Sequence, residues 1–258
     1  MTLQFTWDHT VHYVNDLDAA IATFADHGLR AFRGGSHTLW GTWNALAYFG
    51  LTYHEFLAIE HRPAAEAEDP RNVVVADAVR LLPDHEVLSR VALRTNAIDE
   101  AHRWLTSQGL STGPIVDGKR RNPQGEWIEW RMFLVSGDDQ GLAYPFVIQW
   151  KGSDDERLAQ LTQAGLLEPH PVGPVTLDAA VFSVRDPRAV ANHWSHLFGW
   201  PAPSSHFEVP VADKAFRFQS GSDNALVRLE FSAPPPLGGT SFRLGGGEYR
   251  VVRQGAKG

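Results

Sequence analysis

The chain has 258 residues, of which 43% are hydrophobic, and its formal net charge is −7. This length is sufficient for one large domain or two smaller ones, and the acidic balance argues against nucleic acid as a partner. Because cysteine is absent, disulfides and cysteine-based metal sites are excluded. Neither a signal-peptide pattern nor an apolar stretch of roughly 20 residues is present, so we expect a cytoplasmic protein without a membrane partner.

One short pattern opens three segments of the chain. Each segment begins with an apolar–polar alternation that predicts a half-buried strand. An Asn or Asp suited to capping a helix follows, then a helical pattern and a glycine suited to a left-handed helix end. The three segments begin at His9, Arg90 and Ala179 and reach their glycines at Gly28, Gly109 and Gly199. The sequence therefore predicts a repeated unit.

Further strands complete each unit. They are predicted at 45–49 and 53–59, at 127–135 and 144–150, and at 214–219 and 225–231. One strand, one helix and about three strands form a βαβββ module, so the fold class is α+β. We expect a domain at 1–152 built from two paired modules at about 5–60 and 86–151. A linker at 153–174, a third related module at 175–252 and a flexible tail at 253–258 would follow.

Several motifs of the first two units occur in a characteristic order. Asp8-His9 opens the first strand, Gly-Gly-Ser-His ends at His37, Gly-Thr-Trp-Asn ends at Asn44, and Pro-Phe-Val-Ile-Gln-Trp ends at Trp150. With these motifs the chain resembles the glyoxalase-like domain family of the vicinal oxygen chelate superfamily, which includes glyoxalase I, extradiol dioxygenases and bleomycin-binding proteins. The resemblance implies two modules paired into a cup-shaped mixed sheet with helices outside, a site in the concavity and a third module appended. It implies no single reaction, because one fold hosts many chemistries.

The resemblance also implies where metal ligands would lie, on the first and last strands of each paired module. The first module has His9 and Glu55 at these positions, whereas the second has Arg90 and Phe146. Two of four ligands are therefore retained, although catalytic sites usually have three protein ligands. An arginine in the cup would also repel a cation.

Two alternatives remain for His9 and Glu55. With His37 reaching in from a loop, they would hold one divalent metal ion. Without a metal, they would form a hydrogen-bonded pair and, with His37, a catalytic acid/base group. Alternation places His12 and His54 on the opposite strand faces, which argues against both as ligands.

A second group of residues would bind substrate. Thr42 and Asn44 share one strand face, and Gly34-Gly35 permits close approach of a ligand; alternatively, the two polar side chains satisfy an irregular turn. Arginine recognises anionic groups and tryptophan stacks on planar ones. The remaining substrate-binding candidates are Arg90, Arg121, Trp130 and Gln149.

Three functions are compatible with these residues. The first is an enzyme of lyase, isomerase or dioxygenase type that acts on a small oxygen-rich or anionic metabolite. The second is a metal-free protein that binds and sequesters a small molecule, as bleomycin-binding relatives do. In the third, the cup is only core and the third module mediates a homodimer.

Overall fold

The computed structural model describes residues 3–121 and 127–253. The helices of these residues are α1 (Leu17–Asp26), α2 (Arg62–Ala67), α3 (Val73–Leu81), α4 (Ile98–Ser107), α5 (Asp154–Gln163) and α6 (Pro187–Phe198). The strands up to Trp150 are β1 (Thr6–Tyr13), β2 (Phe32–His37), β3 (Thr42–Phe49), β4 (Thr52–Ile59), β5 (Val87–Arg94), β6 (Ser111–Thr112), β7 (Val116–Arg121), β8 (Trp127–Phe133), β9 (Val135–Ser136), β10 (Asp138–Asp139), β11 (Leu142–Ala143) and β12 (Phe146–Trp150). The later strands are β13 (Thr176–Val184), β14 (Glu208–Val211), β15 (Lys214–Ser220), β16 (Ala225–Ala233), β17 (Thr240–Leu244) and β18 (Gly247–Arg253).

The helix that follows the first strand of each segment begins and ends largely as its sequence predicts. Asp16 accepts hydrogen bonds from backbone N–H groups at the start of α1, and Asp186 does so at α6. At α4 the residue before the helix is Ala97, which has no capping side chain. Gly28 and Gly199 adopt φ of +68° and +64°, a left-handed conformation that favours glycine at a helix end.

Eight strands form one curled sheet in the order β2-β3-β4-β1-β5-β12-β8-β7. In each half, the first strand pairs in parallel with the last, β1 with β4 and β5 with β12, while β1 and β5 pair antiparallel at the centre. The edge strands β2 and β7 contact each other across the open side. These pairings confirm the predicted α+β fold with two paired modules and a cup.

The second sheet repeats this arrangement with fewer strands, in the order β14-β15-β13-β16-β18-β17. β13 pairs in parallel with β15 and antiparallel with β16, and β16 pairs in parallel with β18. The segment 175–252 thus contains the strand pairings of two modules, where the sequence suggested one. Because no helix separates β16 from β17, the strand–helix–glycine pattern that reveals the other modules is missing there.

The two sheets pack through the faces turned away from the cup. Trp7 of β1 contacts Phe216 of β15 edge to face, with ring centroids 5.3 Å apart. One continuous apolar core, which includes Phe24 and Trp194 from the helices α1 and α6, fills this interface. The concave face of the larger sheet is therefore left for a cavity. Among the described residues, no helix is long and apolar enough to cross a membrane.

Candidate functional site

The concave face of the eight-stranded sheet surrounds a cavity of about 60 Å³, here called the inner cavity. Most of its wall is apolar or aromatic, which is typical of a small-molecule site. Its aromatic lining comes from Trp40, Tyr53, Trp130, Phe146 and Trp150. Its polar lining comes from His9, His37, Thr42, Asn44, Glu55 and Asn72.

His9 is fixed by contacts on three sides. Its Nδ1 lies 2.7 Å from Asp8 Oδ1, its ring stacks on Tyr53 at 4.5 Å, and Phe146 contacts it edge to face. Since the pKa of Asp8 lies well below its usual range, Asp8 is a carboxylate and only accepts hydrogen bonds. His9 Nδ1–H therefore donates to Asp8, and Nε2 is the nitrogen left for chemistry.

Asp8 is completely buried yet ionised, because cations surround it. Burial by itself would raise its pKa, but Arg157, the hydrogen bond with His9, and Arg94 together outweigh burial and lower it. Asp8 Oδ2 lies 3.1 Å from Arg94 Nη1 and accepts a hydrogen bond from Trp150 Nε1 at 2.9 Å. Both side chains of the Asp8–His9 pair are thus held in one orientation before any ligand binds.

Glu55 faces His9 across the inner end of the cavity. Its Oε2 lies 3.6 Å from His9 Nε2, and its Oε1 accepts a hydrogen bond from Asn44 Nδ2 at 2.5 Å. A Cβ at Gly34 would lie 2.2 Å from Asn44 Oδ1. The missing side chain at Gly34 therefore makes room for Asn44, not for the ligand that the sequence suggested.

His37 and Thr42 lie at the mouth of the inner cavity. His37 Nδ1 is 3.1 Å from Thr42 Oγ1, and the His37 ring lies against Trp40 with centroids 5.5 Å apart. Trp130 closes the opposite side, with its ring 5.7 Å from that of Trp150. These three sequence candidates line the cavity together with His9, Asn44 and Glu55.

Two other substrate-binding candidates lie elsewhere. Arg90 is buried and lies 2.9 Å from Asp77 of α3, and it also donates to the carbonyl of Tyr144. Gln149 accepts from Ile98 N and donates to Asn96 O, so it supplies the cap that Ala97 lacks at α4. Neither lines the inner cavity, since each already satisfies a structural partner. Arg121 ends β7, but its side chain lies outside the described residues.

His12 and His54 face away from the cup, as the alternation predicts. Both rings contact the hydroxyl of Tyr249, His12 Nδ1 at 2.5 Å and His54 Nε2 at 2.8 Å. Burial lowers the pKa of His12 to about 3 and that of His54 well below its ordinary value. Both histidines are therefore neutral and belong to the interface between the sheets.

The donor set at His9 does not fit a divalent metal. Among the described residues, no three His, Asp or Glu side chains come close enough together to hold one. His9 Nδ1 is committed to Asp8, and one oxygen of Glu55 is committed to Asn44. Two ligands are fewer than the three that catalytic metal sites usually have.

The family of the chain follows from a match to its sequence. A family model described as "glyoxalase-like domain" matches residues 7–198, which is more than half of the chain. The chain belongs to this family. The glyoxalase-like match covers the larger sheet from the second residue of β1 onward. It ends at the last residue of α6, the helix that follows β13. No curated protein matches the sequence significantly.

Comparison with solved structures finds one that shares the fold over nearly the whole chain. A hypothetical protein from Staphylococcus aureus superposes with a TM-score of 0.83 at 21% identity, covering 98% of this chain and 100% of that one. A methylmalonyl-CoA epimerase variant from Streptomyces coelicolor, in complex with 2-nitronate-propionyl-CoA, gives 0.44 at 18% identity, covering 58% and 100%. The Mycobacterium tuberculosis epimerase gives 0.41 at 19% identity, covering 59% and 91%. At 21% identity the likeness to the Staphylococcus aureus protein concerns the fold alone.

Proposed function

We propose that this glyoxalase-like protein is an enzyme that moves a proton on a small, uncharged molecule with an aromatic or apolar body and a carbonyl group. The observation that carries the proposal is the Asp8–His9–Glu55 arrangement at the closed end of an aromatic cavity. A histidine whose Nδ1–H is held by a buried carboxylate has its Nε2 oriented as a general base.

In this proposal His9 Nε2 takes a proton from the carbon next to the carbonyl, and the C–H electron pair moves to the carbonyl oxygen, which gives an enolate paired with the imidazolium formed in the same step. The imidazolium then returns the proton to the same or a neighbouring atom, which restores the neutral ligand and the neutral imidazole. The imidazolium formed in between has the Asp8 carboxylate on one side and Glu55 on the other, at 2.7 and 3.6 Å. Such flanking charges stabilise the protonated ring inside a desolvated site. Asn44 holds Glu55 in position, and the surrounding aromatic side chains exclude water.

The cavity favours an uncharged ligand over the anionic metabolite that Arg90 suggested. The described side chains that line the inner cavity include the carboxyl group of Glu55 but neither arginine nor lysine. Because Arg90 is bound to Asp77, an anion in the cavity would have no guanidinium partner there and would be repelled by Glu55.

A proton-exchange experiment tests the proposal. Phenylacetone, a neutral aryl ketone, is incubated in heavy water with the protein, and loss of its α-proton signals is followed by NMR. We expect catalysed exchange that falls about 100-fold or more in His9→Gln, since general bases contribute roughly 10²–10⁴-fold. Arg131→Gln changes an exposed ion pair with Asp99 and should retain the rate.

The second candidate function is metal-free binding of a small molecule, which the aromatic lining of the cavity favours. Phenylacetone would then quench tryptophan fluorescence on binding, while no exchange above the uncatalysed rate would occur with the wild type. That result would exclude the enzymatic proposal for this ligand class. Glu55→Gln provides a second variant in case His9→Gln does not fold.

A further inference from the structure

A second, larger cavity lies directly outside the first. It measures about 630 Å³ and is called the outer groove. Its walls come from the β2–β3 loop, the connection between α2 and α3, and the edge strand β7. Five residues line both spaces, namely His37, Trp40, Asn72, Trp130 and Met132. The two spaces are therefore adjacent, and these side chains form the boundary between them.

The rims of the outer groove expose large apolar side chains. Leu39 is 86% exposed, Trp127 51% and Val116 40%. They are three of the six exposed large hydrophobic residues in the described part of the chain. Single exposed apolar residues are ordinary, but a cluster of them around one concavity indicates a binding surface.

The charges of the outer groove do not favour an anion. Its described lining has three acidic side chains and two basic ones. Arg71 is paired with Asp69 at 2.5 Å, and Lys119 Nζ lies 4.8 Å from the ring centre of Trp127. A phosphorylated or carboxylated group would therefore compete with partners that these cations already have, and would meet a net negative wall.

We propose that the ligand has two parts, a carbonyl-bearing head in the inner cavity and an elongated, uncharged apolar tail in the outer groove. The substrate class is then a long-chain or aryl-extended ketone and not a triose-sized or anion-carrying metabolite. The placement of the head rests on the proposed function; the tail rests on the exposed rim, the shared wall and the charge balance. Trp130 lines both spaces and lies so close to Gly118 that a Cβ there would collide with the indole.

Binding of unbranched methyl ketones of increasing length, from butanone to undecanone, tests the tail site by calorimetric titration. Burial of a methylene group is worth roughly 0.8 kcal/mol, so we expect the dissociation constant to fall about threefold to fourfold per added carbon. In the double variant Leu39→Ser, Val116→Ser, the gain per carbon should fall below about twofold while the affinity for butanone is retained. Both positions are exposed, so thermal unfolding should be unchanged.

Leu158→Ser is the matched control, because Leu158 is 42% exposed on α5 and lines neither space; it should keep the wild-type chain-length dependence. The tail site is overturned if affinity does not rise with length, if no ketone binds, or if Leu158→Ser weakens binding as much as the double variant. It is also overturned if an undecanone bearing a terminal carboxylate binds more than about tenfold tighter. Chain-length dependence without proton exchange would instead reject the proposed function and leave the tail site intact.

Discussion

Acidification from pH 7 to pH 5 is expected to lower the free energy of unfolding by about 4 kcal/mol. His12 and His54 are neutral and fully buried between the two sheets, where burial lowers the pKa of His12 to about 3 and that of His54 well below 6.5. In the unfolded chain both titrate near 6.5, so below that pH the unfolded state binds more protons. Each histidine then costs about 1.4 kcal/mol per pH unit, or about 2 kcal/mol at pH 5.

Urea unfolding at pH 7, 6 and 5 measures this effect. His54→Gln keeps an N–H group that can reach Tyr249 but cannot titrate, so the loss between pH 7 and 5 should shrink by about 2 kcal/mol. His206→Gln removes an exposed histidine and should leave the full dependence in place. An unchanged pH dependence in His54→Gln would show that the Tyr249 cluster is not the cause.

The alternation of the strands was sufficient to predict which histidines face the cup. Alternation along a strand places His9 and Glu55 on one face of the sheet and His12 and His54 on the other. The structure confirms this, since the first two line the inner cavity and the other two contact Tyr249. That Tyr249 is the shared partner of His12 and His54 was not predictable. Tyr249 lies on β18, far along the chain, in the strands after β16, where the repeat pattern is missing. Local periodicity gives the direction of a side chain, whereas its partner depends on how distant elements pack.

Asp8 illustrates the opposite case, in which alternation misleads. Neighbouring strand residues point to opposite faces, so Asp8 was not a candidate although it stands beside His9. The register between β1 and β5 shifts between Trp7 and His9, and a bulge of this kind re-aims side chains. The signal in the sequence was the pair Asp8-His9 itself, an acid next to a candidate base.

Arg90 and Arg157 show why the cations around the site could not be assigned from spacing. The repeat aligns Arg90 with His9, but Asp77, in the connection between the modules, binds it. Arg157 belongs to α5 in the predicted linker, whose helical pattern was visible in the sequence. Its side chain nevertheless crosses to Asp8 and lies over Trp150, 4.3 Å from the ring centre. Both contacts arise from tertiary packing of segments outside the modules.

The Asp8→Asn substitution should lower the free energy of unfolding by about 3–5 kcal/mol, because it leaves buried positive charge without its partner. Asp8 is 0% exposed, and Arg157, which is 6% exposed, has Nη1 3.5 Å from Asp8 Oδ2. Arg94 keeps Asp154, but Arg157 would retain no anionic partner, only the backbone carbonyl of Leu51 and the ring of Trp150. Urea unfolding at pH 7 measures the loss.

Asp154→Asn is the matched control, since Asp154 also binds Arg94 but has a side chain 42% exposed; it should cost less than about 1 kcal/mol. Equal losses in the two variants would show that the carboxylate of Asp8 is not the charge that holds the guanidinium groups.

A second readout separates stability from function. In Asp8→Asn, His9 Nδ1–H no longer faces a charged acceptor, so the imidazole nitrogen shifts of His9 should change by NMR, whereas Asp154→Asn should leave them as in the wild type. A base that depends on Asp8 for its orientation must respond in this way, because no other described side chain binds Nδ1.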